Sequence, residues 1–73
     1  MKRASVSSSV FESIGYDLSR QILEVQFKEN GKPVCQYTNI PMRVFRALMF
    51  TASKGSYFLQ KIKGRYPEIQ VSK

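Results

Sequence analysis

Between Arg43 and Arg65 the chain carries Arg43, Arg46, Lys54, Lys61, Lys63 and Arg65 and not one acid. Tyr57 and Tyr66 stand among or beside them, and Phe50 lies between the arginines and Lys54. Lysine and arginine neutralise phosphates, and an exposed aromatic ring stacks on a base. Residue types and spacing are therefore those of a surface that could grip a polyanion such as nucleic acid. The cations would meet phosphates, and Tyr57, Tyr66 or Phe50 would meet bases. The plainer reading is a solvated rim, with Phe58, Ile62 and Tyr66 in the core and the lysines in water. Both readings stay open at the level of sequence.

Other chemistry has little to work with. The chain has no histidine, the commonest general base and metal ligand. Its five acids, Glu12, Asp17, Glu24, Glu29 and Glu68, are scattered over turns and outer strand positions, and no two form an evident pair. Lys54-Gly55-Ser56 reverses the order that a phosphate-binding loop needs. Cys35 has no neighbour to activate it and reads as a small buried apolar residue. The expectation is a protein that is not an enzyme and holds no metal or cofactor.

The net charge of +7 is unevenly placed. Residues 1–41 carry five bases and four acids, whereas residues 42–73 carry seven bases and Glu68 alone. A field concentrated in the C-terminal half attracts polyanions without choosing among them. Seventy-three residues make a single domain, 1–73, with a small core. One cysteine cannot form an internal disulfide, which fits a reducing compartment. No leader pattern follows Met1, and no apolar run approaches the length that spans a bilayer. The chain reads as soluble and cytoplasmic, without a membrane role.

These residues must be positioned by a small set of elements. The serine-rich residues 1–9 read as frayed. Val10–Tyr16 alternates and reads as a strand, and Asp17–Arg20 as a turn. Ile22–Lys28 is the clearest strand, with Leu23, Val25 and Phe27 on one face and Glu24, Gln26 and Lys28 on the other. Asn30-Gly31 signals a hairpin, since both residues tolerate positive φ. Val34–Thr38 follows, and a one-residue bulge would put Cys35 and Tyr37, rather than Gln36, on the apolar face. Pro41 suits the first turn of a helix. Val44, Phe45, Leu48, Met49 and Ala52 then form its inner stripe, with Gly55 as a left-handed cap. Arg43, Arg46, Ala47, Phe50 and Lys54 form a second stripe on the same helix. Ser56 would cap a short helix from Tyr57 to about Lys63, with Phe58 and Ile62 inward and Gly64 closing it. Tyr66–Val71 is extended, as an edge strand or a surface segment. The fold class is α+β: a three-stranded antiparallel meander, an amphipathic helix across it, a short second helix and an extended tail.

With SSSVFESIGYD, ILEVQF, QYTNIP, ALM and SKGSYFLQKIKGRYP in this order, the chain resembles the KTSC domain over residues 6–71. That family is named for the C-terminal extension of some lysyl-tRNA synthetases and also occurs as stand-alone bacterial proteins. The resemblance implies RNA binding by way of the synthetase context and implies no catalytic residue. In one place the sequence departs from the family: where a Tyr-x-Tyr is usual, this chain has Cys35-Gln36-Tyr37, so only Tyr37 matches.

Two functional expectations follow. One is a basic, non-enzymatic RNA- or nucleic-acid-binding module using Arg43, Arg46, Lys54, Tyr57, Lys61, Lys63, Arg65 and Tyr66. The other is a protein-interaction module, monomer or weak homodimer, using an exposed Phe50 or an open sheet edge. The competing place for Phe50 is beneath the Tyr66–Val71 segment.

Overall fold

Ile22–Phe27 forms the middle strand of the sheet, with Leu23 and Val25 on its buried face. The computed structural model describes residues 2–72, with Ser72 in its backbone only. Met1 and Lys73, which the expected domain, frayed start and charge count include, lie outside the described residues. The elements are β1 (Ala4–Ser5), β2 (Phe11–Asp17), β3 (Ile22–Phe27), β4 (Val34–Tyr37), α1 (Met42–Phe50), α2 (Lys54–Lys61) and β5 (Glu68–Ser72). The strands pair antiparallel in the order β1-β2-β3-β4-β5.

The α+β class matches expectation, but among the described residues the sheet has five strands rather than three. Both additional strands are edges. The serine-rich start is not frayed at Ala4 and Ser5, which pair with Ile14 and Ser13. The tail takes the edge-strand alternative and pairs with β4. Two exposed residues and a pairing that returns after two helices leave no local periodicity to read.

A bulge resolves a conflict in β2. Plain alternation would send Phe11 to the face opposite Ile14 and Tyr16. Instead the register shifts between Phe11 and Ser13, with Phe11 opposite Phe27 and Ser13 opposite Gln26. Glu12 is the extra residue and is exposed. Phe11 thereby joins Ile14 on the helix-covered face, where both are buried.

Cys35 and Tyr37 do face the core, opposite Val25 and Leu23. The odd residue that puts them there sits in the hairpin loop, not in a bulge of this ladder. The Lys32 N–H donates to the Glu29 carbonyl at 3.4 Å, and Gly31 takes a φ of +85°. Asn30 does not share the positive φ, because this longer turn needs one left-handed residue rather than two.

The helices also begin and end differently from expectation. α1 stops at Phe50, and Thr51 turns extended while its N–H still reaches the Ala47 carbonyl. Ala52 and Lys54 therefore leave the two stripes assigned to α1. Ser53, not Ser56, precedes α2, and its side chain makes no capping bond. Gly55 lies inside the first turn of α2 and is not a left-handed cap. A Cβ there would come within 2.6 Å of Val10 Cγ2, so close packing explains the glycine. α2 ends at Lys61 rather than near Lys63, with Ile62 as its C-cap, so Gly64 does not close the helix. At φ +79° it lies in the turn that follows, where the Arg65 N–H donates to the Ile62 carbonyl at 3.0 Å.

Both helices cover the same sheet face. Phe45 of α1 stacks on Tyr16, with ring centroids 4.6 Å apart and planes within 8°. Phe58 of α2 meets Phe11 and Tyr37 edge-on, each at 5.2 Å. Leu23, Val25, Ile40, Leu48 and Ile62 complete a core that is fully shielded from solvent.

Candidate nucleic-acid interface

The cations gather on the outer surface of the helix layer because apolar residues claim the inner one. On α1, Val44 and Leu48 are buried, and the opposite side presents Arg43, Arg46 and Phe50, all exposed. Phe50 is 87% exposed and does not pack beneath the tail. Ala47 lies half-buried beside them.

The remaining expected residues divide. Lys61 is exposed, and among the described residues neither it nor Arg43 nor Arg46 enters an ion pair. Arg65 is exposed, and its Nε donates to the Gln60 carbonyl at 2.8 Å. Lys54 is half-buried, with Nζ on the Thr51 carbonyl at 3.0 Å just beyond the end of α1. Lys63 pairs with Glu68 at 3.3 Å, which offsets part of its charge. Tyr57 and Tyr66 are half-buried and pack against the core, so neither offers a free ring. Of the aromatics assigned to base stacking, Phe50 alone presents its ring to solvent.

Two polar clusters lie elsewhere. The buried Tyr37 hydroxyl donates to Glu68 Oε1 at 3.0 Å. Burial, then the Glu68 carboxylate, pushes the Tyr37 phenol well above its ordinary range. Burial, then Glu68, also raises the Cys35 thiol. A thiol held protonated is a poor nucleophile, so this cluster suits packing rather than covalent chemistry. Among the described residues, no three side chains from His, Cys, Asp and Glu gather where a metal ion could sit.

The second cluster is on the sheet face away from the helices, where sequence reasoning placed Glu24 in solvent. Glu24 is buried. It forms an ion pair with Arg3 and accepts a hydrogen bond from Gln36 Nε2 at 2.8 Å. Arg3 Nε donates to Ser13 Oγ at 3.0 Å, and Ser13 Oγ donates to Gln26 Oε1 at 2.8 Å. Gly15 makes the approach possible: it pairs with Glu24, and a Cβ there would overlap the Lys2 carbonyl oxygen. A glycine inside a strand is the signal that could have revealed this crossing. Among the described residues, no helix is long and apolar enough to cross a membrane.

Comparison with known proteins agrees with this architecture. The family model of the KTSC domain matches residues 7–66. An uncharacterized protein of Stutzerimonas stutzeri (strain A1501) is 38% identical over 66 residues, covering 90% of each chain. The crystal structure of a KTSC domain protein from Yersinia pestis superposes with a TM-score of 0.89 at 39% identity, covering 97% of both chains. The matched span holds β2, β3, β4 and both helices, and the edge strands β1 and β5 lie outside it. The chain belongs to the KTSC domain family.

Proposed function

We propose that this protein is a small non-enzymatic module that binds nucleic acid through the outer surface of its helix layer. The observation that carries the reading is the charge of that layer. From Thr38 to Pro67 the chain has six cations and no anion. Arg43, Arg46, Lys61 and Arg65 in this span are exposed. The layer contributes cations and no acid of its own, and phosphate is the natural complement of such a surface. Lys54, Lys63, Tyr57 and Tyr66 would act at the border of the site rather than its centre. A cytoplasmic setting belongs to the same proposal.

The test is fluorescence anisotropy with labelled RNA and DNA between about 50 and 200 mM salt, where phosphate contacts appear as a steep loss of affinity. Arg43→Gln, Arg46→Gln and Lys61→Gln together are expected to flatten the slope of log K against log salt by about two units on a single strand. An unchanged slope would remove this surface from the site.

A second reading, a protein-interaction module or weak homodimer, draws on the exposure of Phe50 and on β5 as an open sheet edge. Light scattering across a concentration series would favour it if a dimer appears in the wild type and is lost in Phe50→Ser.

A further inference from the structure

We infer that the ligand of the helix layer is single-stranded nucleic acid with unpaired bases, held by Arg43 and Arg46 on phosphates and by Phe50 stacked on one base. This rests on the nucleic-acid reading above and specifies its substrate class. Two observations and one physical argument carry it.

The first is the placement of Phe50. A phenylalanine exposed to 87% on a domain that buries Phe11, Phe58 and Tyr37 completely, or nearly so, contributes nothing to the core. Its ring lies on the same side of α1 as Arg43 and Arg46, at spacings of seven and four residues. Arg43 and Phe50 are thus about 10 Å apart along the helix axis, with Arg46 between them. Cations beside a free ring are the elements of a site that grips a backbone and stacks a base.

The second is that the other aromatic candidates are occupied. Tyr57 and Tyr66 pack against the core, and Tyr16 is stacked on Phe45. One free ring stacks one base, which predicts weak sequence preference.

The third is that a duplex offers this ring nothing. Paired bases are already stacked on their neighbours, so only phosphates would be reached, and Phe50 would stay in water. An unpaired base can turn its π-face to a ring at far lower cost than a base held in a duplex.

The experiment compares four labelled oligonucleotides of equal length: single-stranded RNA, single-stranded DNA, a duplex, and an abasic single strand with the same phosphates. Base-bearing single strands are expected to bind about ten-fold more tightly than the abasic strand, the scale of one base–aromatic stack. Phe50→Ala is expected to erase that difference while leaving the salt slope unchanged, and circular dichroism should confirm an intact fold. The ratio of RNA to DNA affinity then names the sugar. Equal binding to abasic and base-bearing strands, or preference for the duplex, overturns the inference while the nucleic-acid reading survives. Absence of salt-dependent binding to all four overturns both. A Phe50-dependent dimer that binds no strand assigns the ring to protein contact and likewise overturns both.

Discussion

The Tyr16 hydroxyl donates a hydrogen bond to the Ile40 carbonyl at 2.6 Å. From the other side the Ile40 N–H donates to the Gln21 carbonyl at 2.9 Å. The β2–β3 hairpin thus grips both backbone groups of the residue that leads into α1. Gln21 and Asn39, at φ values of 56° and 63°, adopt left-handed backbone on either side of this joint. The stack of Tyr16 on Phe45 extends the same grip to the first turn of the helix that carries Arg43 and Arg46. The joint therefore sets the height and angle at which the basic face stands on the sheet.

Tyr16→Phe keeps the stack and leaves the Ile40 carbonyl without this donor. We expect a loss of about 1–2 kcal/mol, the cost of an orphaned, partly buried acceptor. Urea denaturation should show a lower midpoint with an unchanged m-value. An unaltered midpoint would mean that water replaces the phenol at no cost.

Gly55 and Val10 make a second test. Gly55→Ala brings a methyl group to 2.6 Å from Val10 Cγ2, and overpacking of this kind costs about 1–3 kcal/mol. Val10→Ala should recover most of that loss in the double variant. If Gly55 served as a left-handed cap, shortening Val10 would rescue nothing.

The Arg3–Glu24 pair should be costly to break from one side. Glu24 is almost wholly buried, with its side chain 7% exposed against 26% for Arg3. Glu24→Gln leaves the Arg3 guanidinium partly buried without its countercharge, and we expect a loss of about 2–4 kcal/mol, near the lower range for broken buried pairs. Arg3→Met combined with Glu24→Gln should cost less than the sum of the two single changes. Strict additivity would show that the pair contributes no coupling.

Alkaline pH should destabilise the fold. The Tyr37 phenol and the Cys35 thiol both have folded pKa values raised above their ordinary 10.0 and 9.0. Once the pH passes the ordinary values, the unfolded chain releases these protons and the folded chain retains them. The folded state then holds more bound protons, so stability falls as pH rises. The contribution is complete below pH 9 and is lost progressively above it. Urea midpoints at pH 7 and 9 should nearly coincide and the midpoint at pH 10.5 should fall below them, and Tyr37→Phe should shallow that decline. A flat profile to pH 10.5 would contradict the assignment.

Much of the frame was legible in the residues. Leu23, Val25 and Phe27 announce β3 by alternation, and Val44 and Leu48 announce the buried side of α1, because these patterns are local and one face must be covered. The motifs SIGYD, QYTNIP and KGSYF marked the family for a related reason: Tyr16, Ile40 and Phe58 sit where elements join. The two-sided division of α1, with arginines and Phe50 opposite the core stripe, also follows from helical spacing alone.

Tertiary structure decided the rest. Only a bulge at Glu12 brings Phe11 to the core, and a bulge arises from competition between two strands, which one strand's pattern does not contain. Only the crossing of the N-terminal segment over Gly15 buries Glu24, an acid that its own strand places on the solvent side. Only packing shows that Tyr57 and Tyr66 are claimed by the core while Phe50 is left free. The α+β class, the buried stripes and the sign of the charge on the helix layer can be read from the residues alone. Those properties come from periodicity and composition, which are local or additive. Strand count, edge pairing and the freedom of the Phe50 ring depend on contacts between residues far apart in the chain, and those exist only once the chain has closed on itself.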